Sequence, residues 1–220
     1  MSLAVSVVQL IPEGPVSPAG PAGRTGARRG LRSRPVDCSI GLAERLPFAA
    51  GSFDLVTAAG SLNYADFPSA LAEIARVLTP DGTFLLYDFS PGRRSAGDDK
   101  LGRWFASFEE RFPWPPGWEP LEVRELPLAA YGLQLLDFTD VETRLPMDVD
   151  AYLRYALSET NVENSIATGA CSPEEARDWC QTTVESVFTG GPVTVVIAGH
   201  VATLARAAES DSTGARHDGR

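Results

Sequence analysis

The sequence predicts an α/β fold: a mostly parallel sheet with an antiparallel pair of strands at its C-terminal edge. Nearly continuous apolar runs at 53–59 and 83–89 suit strands covered on both faces, and an amphipathic helical pattern at 66–78 lies between them. This succession predicts a β-α-β unit with a right-handed crossover. Residues 133–145 and 193–205 each alternate over a long stretch, which predicts the antiparallel edge pair.

Local signals define the ends of several elements. Residues 36–41 are predicted to form an earlier strand. Asp66 suits the N-cap of the helix in the β-α-β unit, with Pro68 in its first turn. Ser172, followed three residues later by Glu175, predicts a capped helix that continues to about residue 188. Helical spacing also occurs in two further segments, 98–111 and 148–158.

The composition changes sharply near residue 36. Five Pro, five Gly and five Arg make up most of 12–35, which cannot bury enough apolar surface to offset the entropy lost on ordering. We therefore expect 1–35 to be a disordered or aberrant leader; a basic arm for an anionic partner is the alternative. The remaining boundaries that we predict are a partial domain at 36–206, variable segments within it at 93–130 and 147–190, and a disordered tail at 207–220.

Charge and composition argue against several classes of function. The net charge is −10, and the basic leader leaves −14 on residues 36–220, so nucleic acid is an unfavourable partner. No stretch approaches the roughly 18 uncharged residues of a membrane span, and the apolar run at 3–11 lacks the basic start of a secretory signal. Three widely spaced cysteines provide neither a disulfide framework nor metal-ligand spacing. We expect a cytoplasmic protein that acts on a small molecule.

Four consecutive segments resemble a known family. They are Ala-Glu-Arg-Leu-Pro-Phe at 43–48, Gly-Ser-Phe-Asp-Leu-Val at 51–56, Leu-Ala-Glu-Ile-Ala-Arg-Val-Leu at 71–78 and Pro-Asp-Gly at 80–82. In order and spacing they resemble the central block of class I, Rossmann-like methyltransferases that use S-adenosylmethionine, in particular the type 11 methyltransferase-domain family. The resemblance implies methyl transfer from S-adenosylmethionine to a small-molecule acceptor.

The resemblance also implies where the cofactor binds. Ligands of open parallel sheets bind outside the carboxyl ends of the strands, so the turns after two predicted strands are the candidates. The first turn would contact adenine, unless it simply begins a short helix, and the second would lie under the methionine part of the cofactor. The implied cofactor-binding residues are Leu42, Ala43, Glu44, Ala59, Gly60 and Ser61.

Five residues are implied for the acceptor: Asn63, Tyr64, Asp88, Trp104 and Tyr155. The amide and phenol that follow the second strand would orient the acceptor, and the acid ends the third strand. The other two aromatics would roof the site. Each has a structural alternative, namely turn formation, loop capping or core packing. Methyl transfer depends mainly on alignment and exclusion of water, so no catalytic residue is assigned.

Residues 1–35 depart from the family pattern. The family's opening strand ends in a glycine-rich loop, and its second strand ends in an acid that binds both ribose hydroxyls. Here Pro12-Glu13-Gly14-Pro15 follows the apolar run instead. Losing two hydrogen bonds to a charged carboxylate costs roughly 3 to 6 kcal/mol. We therefore expect a sheet that is incomplete on its N-terminal side, with an unpaired edge on the 53–59 strand.

Weak or absent activity follows from that departure. The alternative to a methyltransferase is a non-catalytic remnant of one, which would bind a partner through the sheet edge or the aromatic segment. A nicotinamide-dependent oxidoreductase is disfavoured because no dinucleotide fingerprint follows any predicted strand.

Overall fold

Six strands and five α-helices make up the part of the chain that the structure describes, residues 8–11 and 41–208 of a computed structural model. The strands are β1 (Val8–Ile11), β2 (Phe53–Ala59), β3 (Leu78–Phe89), β4 (Arg94–Ser95), β5 (Leu133–Met147) and β6 (Val193–Arg206). The helices are α1 (Phe67–Val77), α2 (Lys100–Arg111), α3 (Val149–Ala156), α4 (Thr160–Ala167) and α5 (Pro173–Val184).

The strands form one sheet in the order β1-β2-β3-β6-β4, and β5 pairs with β6. The α/β class, the β-α-β unit and the antiparallel C-terminal pair are confirmed. Among the described strands, β2 and β3 pair in parallel and the other four pairs are antiparallel, so the predicted mostly parallel pairing does not hold for these strands, because β1 and β6 run opposite to the strands that they flank. The strand predicted at 36–41 lies outside the described residues except for Gly41, which is not in a strand.

Strand β1 covers one edge of β2. The two strands run antiparallel, with Val8 opposite Ala58 and Ile11 opposite Leu55. The prediction of an unpaired edge on β2 is therefore wrong, because β1 supplies hydrogen-bond partners to its backbone. Residues 8–11 of the predicted leader thus form a strand; the rest of the leader and residues 209–220 lie outside the described residues.

The predicted caps form. The Asp66 carboxylate accepts a hydrogen bond from the Ser69 amide at 3.1 Å, which begins α1 as expected. Ser172 and Glu175 form a capping box at the start of α5, with reciprocal bonds of 3.1 and 2.7 Å. Helix α5 ends at Val184, and a short 3-10 helix at Glu185–Val187 continues to the predicted end. Helix α4 was not predicted, because its sequence is polar and no side chain caps its start.

Two hydrophobic cores pack against this sheet. The first lies between the sheet and α1 and includes Val56, Leu71, Ile74, Phe84 and Leu204. The second joins α2, α3 and α5 to one end of β6. Its buried side chains include Phe105, Phe108, Tyr152, Cys180 and Val195. The aromatic segment at 93–130 therefore contributes mainly to a core of its own.

Strands β5 and β6 extend beyond the rest of the sheet. Residues 193–206 of β6 pair with β5, whereas only 199–205 pair with β3 and two further positions, Val195 and Val196, pair with β4. Strand β5 is an edge: its 15 residues pair with β6 alone among the described strands, and most of its side chains are exposed. The overhanging end of β6 is the surface on which the second core assembles.

Removing the capping box should destabilise the protein measurably. We expect Ser172→Ala to lower the free energy of unfolding by about 1 kcal/mol, because the amide of Glu175 loses its acceptor. Urea denaturation followed by circular dichroism measures this change. Ser107→Ala, at an exposed position within α2, is the matched control and should leave stability unchanged or slightly raised. Equal stability of the two variants would contradict the role given to the cap.

Candidate functional site

A cavity of about 760 Å³ opens beside the carboxyl ends of β2 and β3. Gly60 and Asn63, after β2, and Asp88, near the end of β3, form one wall. The opposite side is made from the segment after α2, from α3 and from the residue that precedes α4. The lining residues there are Trp114, Trp118, Tyr155 and Glu159. Residues 197–200 of β6 also line the cavity.

Gly60 brings the backbone turn after β2 close to the acid of β3. Its φ is +53°, which side chains disfavour, and its amide donates to the Tyr87 carbonyl at 3.0 Å. A Cβ atom at this position would lie 3.2 Å from Oδ1 of Asp88. The turn therefore depends on glycine both for its conformation and for its distance from the carboxylate.

Two buried oxygen atoms beside this turn have no hydrogen-bond partner among the described residues: Oγ of Ser61 and Oδ1 of Asn63. Their side chains are 6% and 5% exposed, respectively. The Asn63 backbone carbonyl does have a partner, since it accepts from the Glu119 amide at 3.0 Å. A buried acceptor without a partner is destabilising. Because Asn63 lines the cavity, a ligand that donates a hydrogen bond would relieve this cost.

Two tyrosines of α3 fix the chain that follows β3. The Tyr155 hydroxyl accepts from the Gly92 amide at 2.7 Å, and the Tyr152 hydroxyl donates to the Gly92 carbonyl at 2.8 Å. Burial raises the pKa of both phenols, so they stay protonated at neutral pH. This pair of bonds holds α3 against the cavity wall.

Carboxylates crowd the side of the cavity near α3. Burial raises the pKa of Glu159, the contact with Tyr155 lowers it, and the charge of Glu109 raises it. Oε1 of Glu109 accepts from the Trp114 indole at 3.0 Å and lies 3.8 Å from the Arg93 guanidinium. Glu109 therefore has a cationic neighbour, whereas Glu159 is half-buried beside neutral and acidic groups.

Four of the residues expected at the site line the cavity together: Gly60, Asn63, Asp88 and Tyr155. Three others lie next to this group without lining the cavity. Ala59 is exposed at the end of β2, Ser61 is buried beneath the turn, and Tyr64 lies near Thr160 with a pKa that burial raises.

Trp104 is a core residue. It is 7% exposed, its indole donates to Thr183 Oγ1 at 2.8 Å, and its ring packs on those of Phe108 and Tyr152. It does not line the cavity, so the structure separates it from the other expected acceptor residues. Helix α2 presents this ring to the second core, which is the structural alternative given for it above.

The 42–44 turn lies near the site but does not line the cavity. Leu42 and Arg45 close a tight turn through a 3.0 Å backbone bond, so the alternative of a short helix is wrong. Ala43 is buried in the first core, and Leu42 is 51% exposed. Oε1 of Glu44 accepts from the Asp66 amide at 3.0 Å. That bond holds the turn beside the start of α1, at the same end of the sheet as Gly60.

Several lining residues have no signal in the sequence. Glu159 follows a predicted helix without any motif, and Trp114 lies in a proline-rich stretch without helical spacing. His200 stacks on Phe138 with ring centroids 5.0 Å apart and lines the cavity, and its Nε2 is buried and unpartnered among the described residues.

Comparison with known proteins supports the resemblance. Residues 21–86 match the model of a family described as a methyltransferase domain. The chain is 31% identical over 145 residues to the uncharacterized methyltransferase YcgJ of Bacillus subtilis, an alignment that covers 63% of this chain and 53% of YcgJ. The predicted resemblance to class I S-adenosylmethionine-dependent methyltransferases is confirmed.

Other relatives add detail. A demethylmenaquinone methyltransferase of Deinococcus radiodurans is 43% identical over 65 residues, which are 29% of this chain and 27% of that protein. A solved structure from Anaeromyxobacter dehalogenans, described as a type II methyltransferase, shares the fold with a TM-score of 0.51 and 23% identity, covering 81% of this chain and 75% of that one. The chain spans about half of YcgJ and less of the other curated relatives.

The match to the methyltransferase family begins at residue 21, inside the predicted leader. The boundary at 36 therefore stays a prediction. In the described ranges no group of three or more His, Cys, Asp or Glu could hold a metal ion. None of the described helices has the length and apolar character needed to cross a bilayer.

Replacing Gly60 tests the turn on which the cavity wall depends. We expect Gly60→Ala to lower the free energy of unfolding by roughly 1 to 2 kcal/mol, because φ is positive and the new Cβ would press against Asp88. Thermal and urea denaturation measure the loss. Gly97→Ala is the matched control, since its Cβ would meet nothing within 4 Å and its φ is not positive. A loss of stability no greater than that of the control would show that the turn tolerates a side chain.

Proposed function

We propose that this chain transfers a methyl group from S-adenosylmethionine to a small-molecule acceptor in the cavity beside β2 and β3. The observation that carries the proposal is the buried, unpartnered Oδ1 of Asn63 on the cavity wall, beside a glycine turn that follows a parallel strand. The family match supports methyl transfer in general.

The residues present fit the cofactor. When bound, S-adenosylmethionine would supply a methyl group already activated by its sulfonium. We assign it to two turns at the same end of the sheet, Leu42-Ala43-Glu44 and Ala59-Gly60-Ser61. Gly60 permits close backbone approach, and the buried Ser61 hydroxyl has no described protein partner. The cavity volume of about 760 Å³ lies within the range usual for ligand pockets.

The acceptor side is assigned to Asn63, Asp88 and Tyr155, which line the cavity. Tyr64, which lies near Thr160 at the start of α4, would support Asn63. Trp104 would contribute only indirectly, through its packing in the second core. These residues bind and orient the acceptor, and the aromatic roof excludes water. Methyl transfer requires little more from side chains, because alignment dominates its rate.

The alternative is a non-catalytic methyltransferase remnant. On the side away from β3, β2 pairs with β1, which has four residues and runs antiparallel to it. In the family this side holds the parallel strand that carries the glycine-rich loop. That difference favours weak cofactor affinity and an inactive chain.

Calorimetric titration with S-adenosylmethionine and S-adenosylhomocysteine separates the two. We expect micromolar binding of both, whereas no measurable heat with either would support the remnant. Ser61→Ala should weaken binding about threefold to tenfold, because it removes a neutral hydrogen bond. Since the hydroxyl bonds to no described protein group, the fold should be unaffected. Ser107→Ala is the matched control and should bind as the native chain does.

A further inference from the structure

The charged groups that line the cavity are mostly acidic. They are four carboxylates, Asp88, Glu109, Glu122 and Glu159, and one guanidinium, that of Arg93. Arg93 lies 3.8 Å from Glu109. The other three carboxylates form no ion pair with any described residue. With Arg93 counted, the lining therefore has a formal charge of −3.

A second, independent feature of the wall calls for a hydrogen-bond donor. Asn63 is 5% exposed, and its Oδ1 has no described partner. Like the carboxylates, this atom can only accept. A ligand that reaches this atom would have to donate from an N–H or O–H group.

Aromatic rings supply a third feature. Trp114 and Trp118 both line the cavity and stack on each other with centroids 4.7 Å apart. The face of an indole attracts a cation through the ring quadrupole. Carboxylates, an unpartnered amide oxygen and tryptophan faces together favour an organic cation that also carries an N–H or O–H donor.

Glu159 is the carboxylate best placed to bind such a cation. It is half-buried between Tyr155 and the charge of Glu109, and burial raises its pKa. Ionising a buried carboxylate is costly unless an opposite charge accompanies it. An ammonium group in the cavity would provide that charge.

We infer that the methyl acceptor carries a cationic nitrogen, held by Glu159 and Asp88 and by an outer face of the stacked Trp114–Trp118 pair. That the bound cation is a methyl acceptor rests on the proposed function. The binding of the cation itself can be measured without any cofactor. An acidic cavity wall would not stabilise a neutral acceptor such as a quinone. The inference therefore separates this chain from methyltransferases that act on neutral quinones.

Two probes of equal shape test the inference. Choline and 3,3-dimethylbutan-1-ol differ only in that a quaternary nitrogen replaces a carbon. Each probe is titrated into the full chain, and binding is measured by calorimetry and by tryptophan fluorescence. Choline should bind at least tenfold more tightly than the neutral alcohol. Equal affinity for the two probes, or no binding of choline, would overturn the inference.

Variants locate the cation. Glu159→Gln should weaken choline binding at least tenfold while leaving the fold intact, since the neutral side chain is no harder to bury. Glu110→Gln is the matched control, because Glu110 is exposed on α2 and does not line the cavity. Unchanged affinity in Glu159→Gln would contradict the assignment of Glu159.

The cofactor separates this inference from the proposed function. If S-adenosylmethionine binds and choline does not, the cation site is wrong and methyl transfer stands. If choline binds and S-adenosylmethionine does not, the proposed function fails and the cation site stands. Complete displacement of choline by S-adenosylmethionine would overturn the acceptor assignment, because an acceptor has to bind together with the cofactor.

Discussion

The parallel pairing of β2 with β3 is the constraint on which the site depends. It places the carboxyl ends of both strands at the same end of the sheet, so that the turn at Gly60 meets Asp88. Without that alignment, Asn63 would not lie on the same wall as Asp88. The Glu44 bond to the Asp66 amide ties the 42–45 turn to the same end.

Strand β6 links this wall to the roof. Its residues 199–205 complete the first core through Ala202 and Leu204, and its overhanging end carries Val195 into the second. Gly199 lets β6 approach β3 where Asp88 lies, since a Cβ there would collide with the Asp88 carbonyl. The helices that bring Tyr155 and Glu159 to the cavity are therefore positioned by the same strand that pairs with β3.

Local signals predicted the elements well, because caps and strand periodicity are properties of neighbouring residues. Asp66 and Ser172 each begin a helix as their side chains require, and the long strands β5 and β6 pair antiparallel as expected. The β1 pairing could not be foreseen, because it joins Val8 to Ala58, which are far apart in the sequence, and the segment between them contains no hairpin signal.

The site was predicted less completely than the fold. Residues directly after strands, Gly60, Asn63 and Asp88, were identified because the topology dictates where strand ends lie. The roof follows from tertiary packing instead. Helical spacing alone does not say whether Trp104 faces a core or a ligand, and nothing local marks Glu159.

The long outer strand β5 raises a question of self-association, because an open edge of 15 residues offers its backbone to any other strand. Its exposed side chains oppose such pairing. Asp137, Asp140, Glu142 and Arg144 carry charge along the edge, and Pro146 removes a backbone donor near its end. A second chain that docked there would have to desolvate these charges, so the sequence itself guards the molecule against growth into a continuous intermolecular sheet.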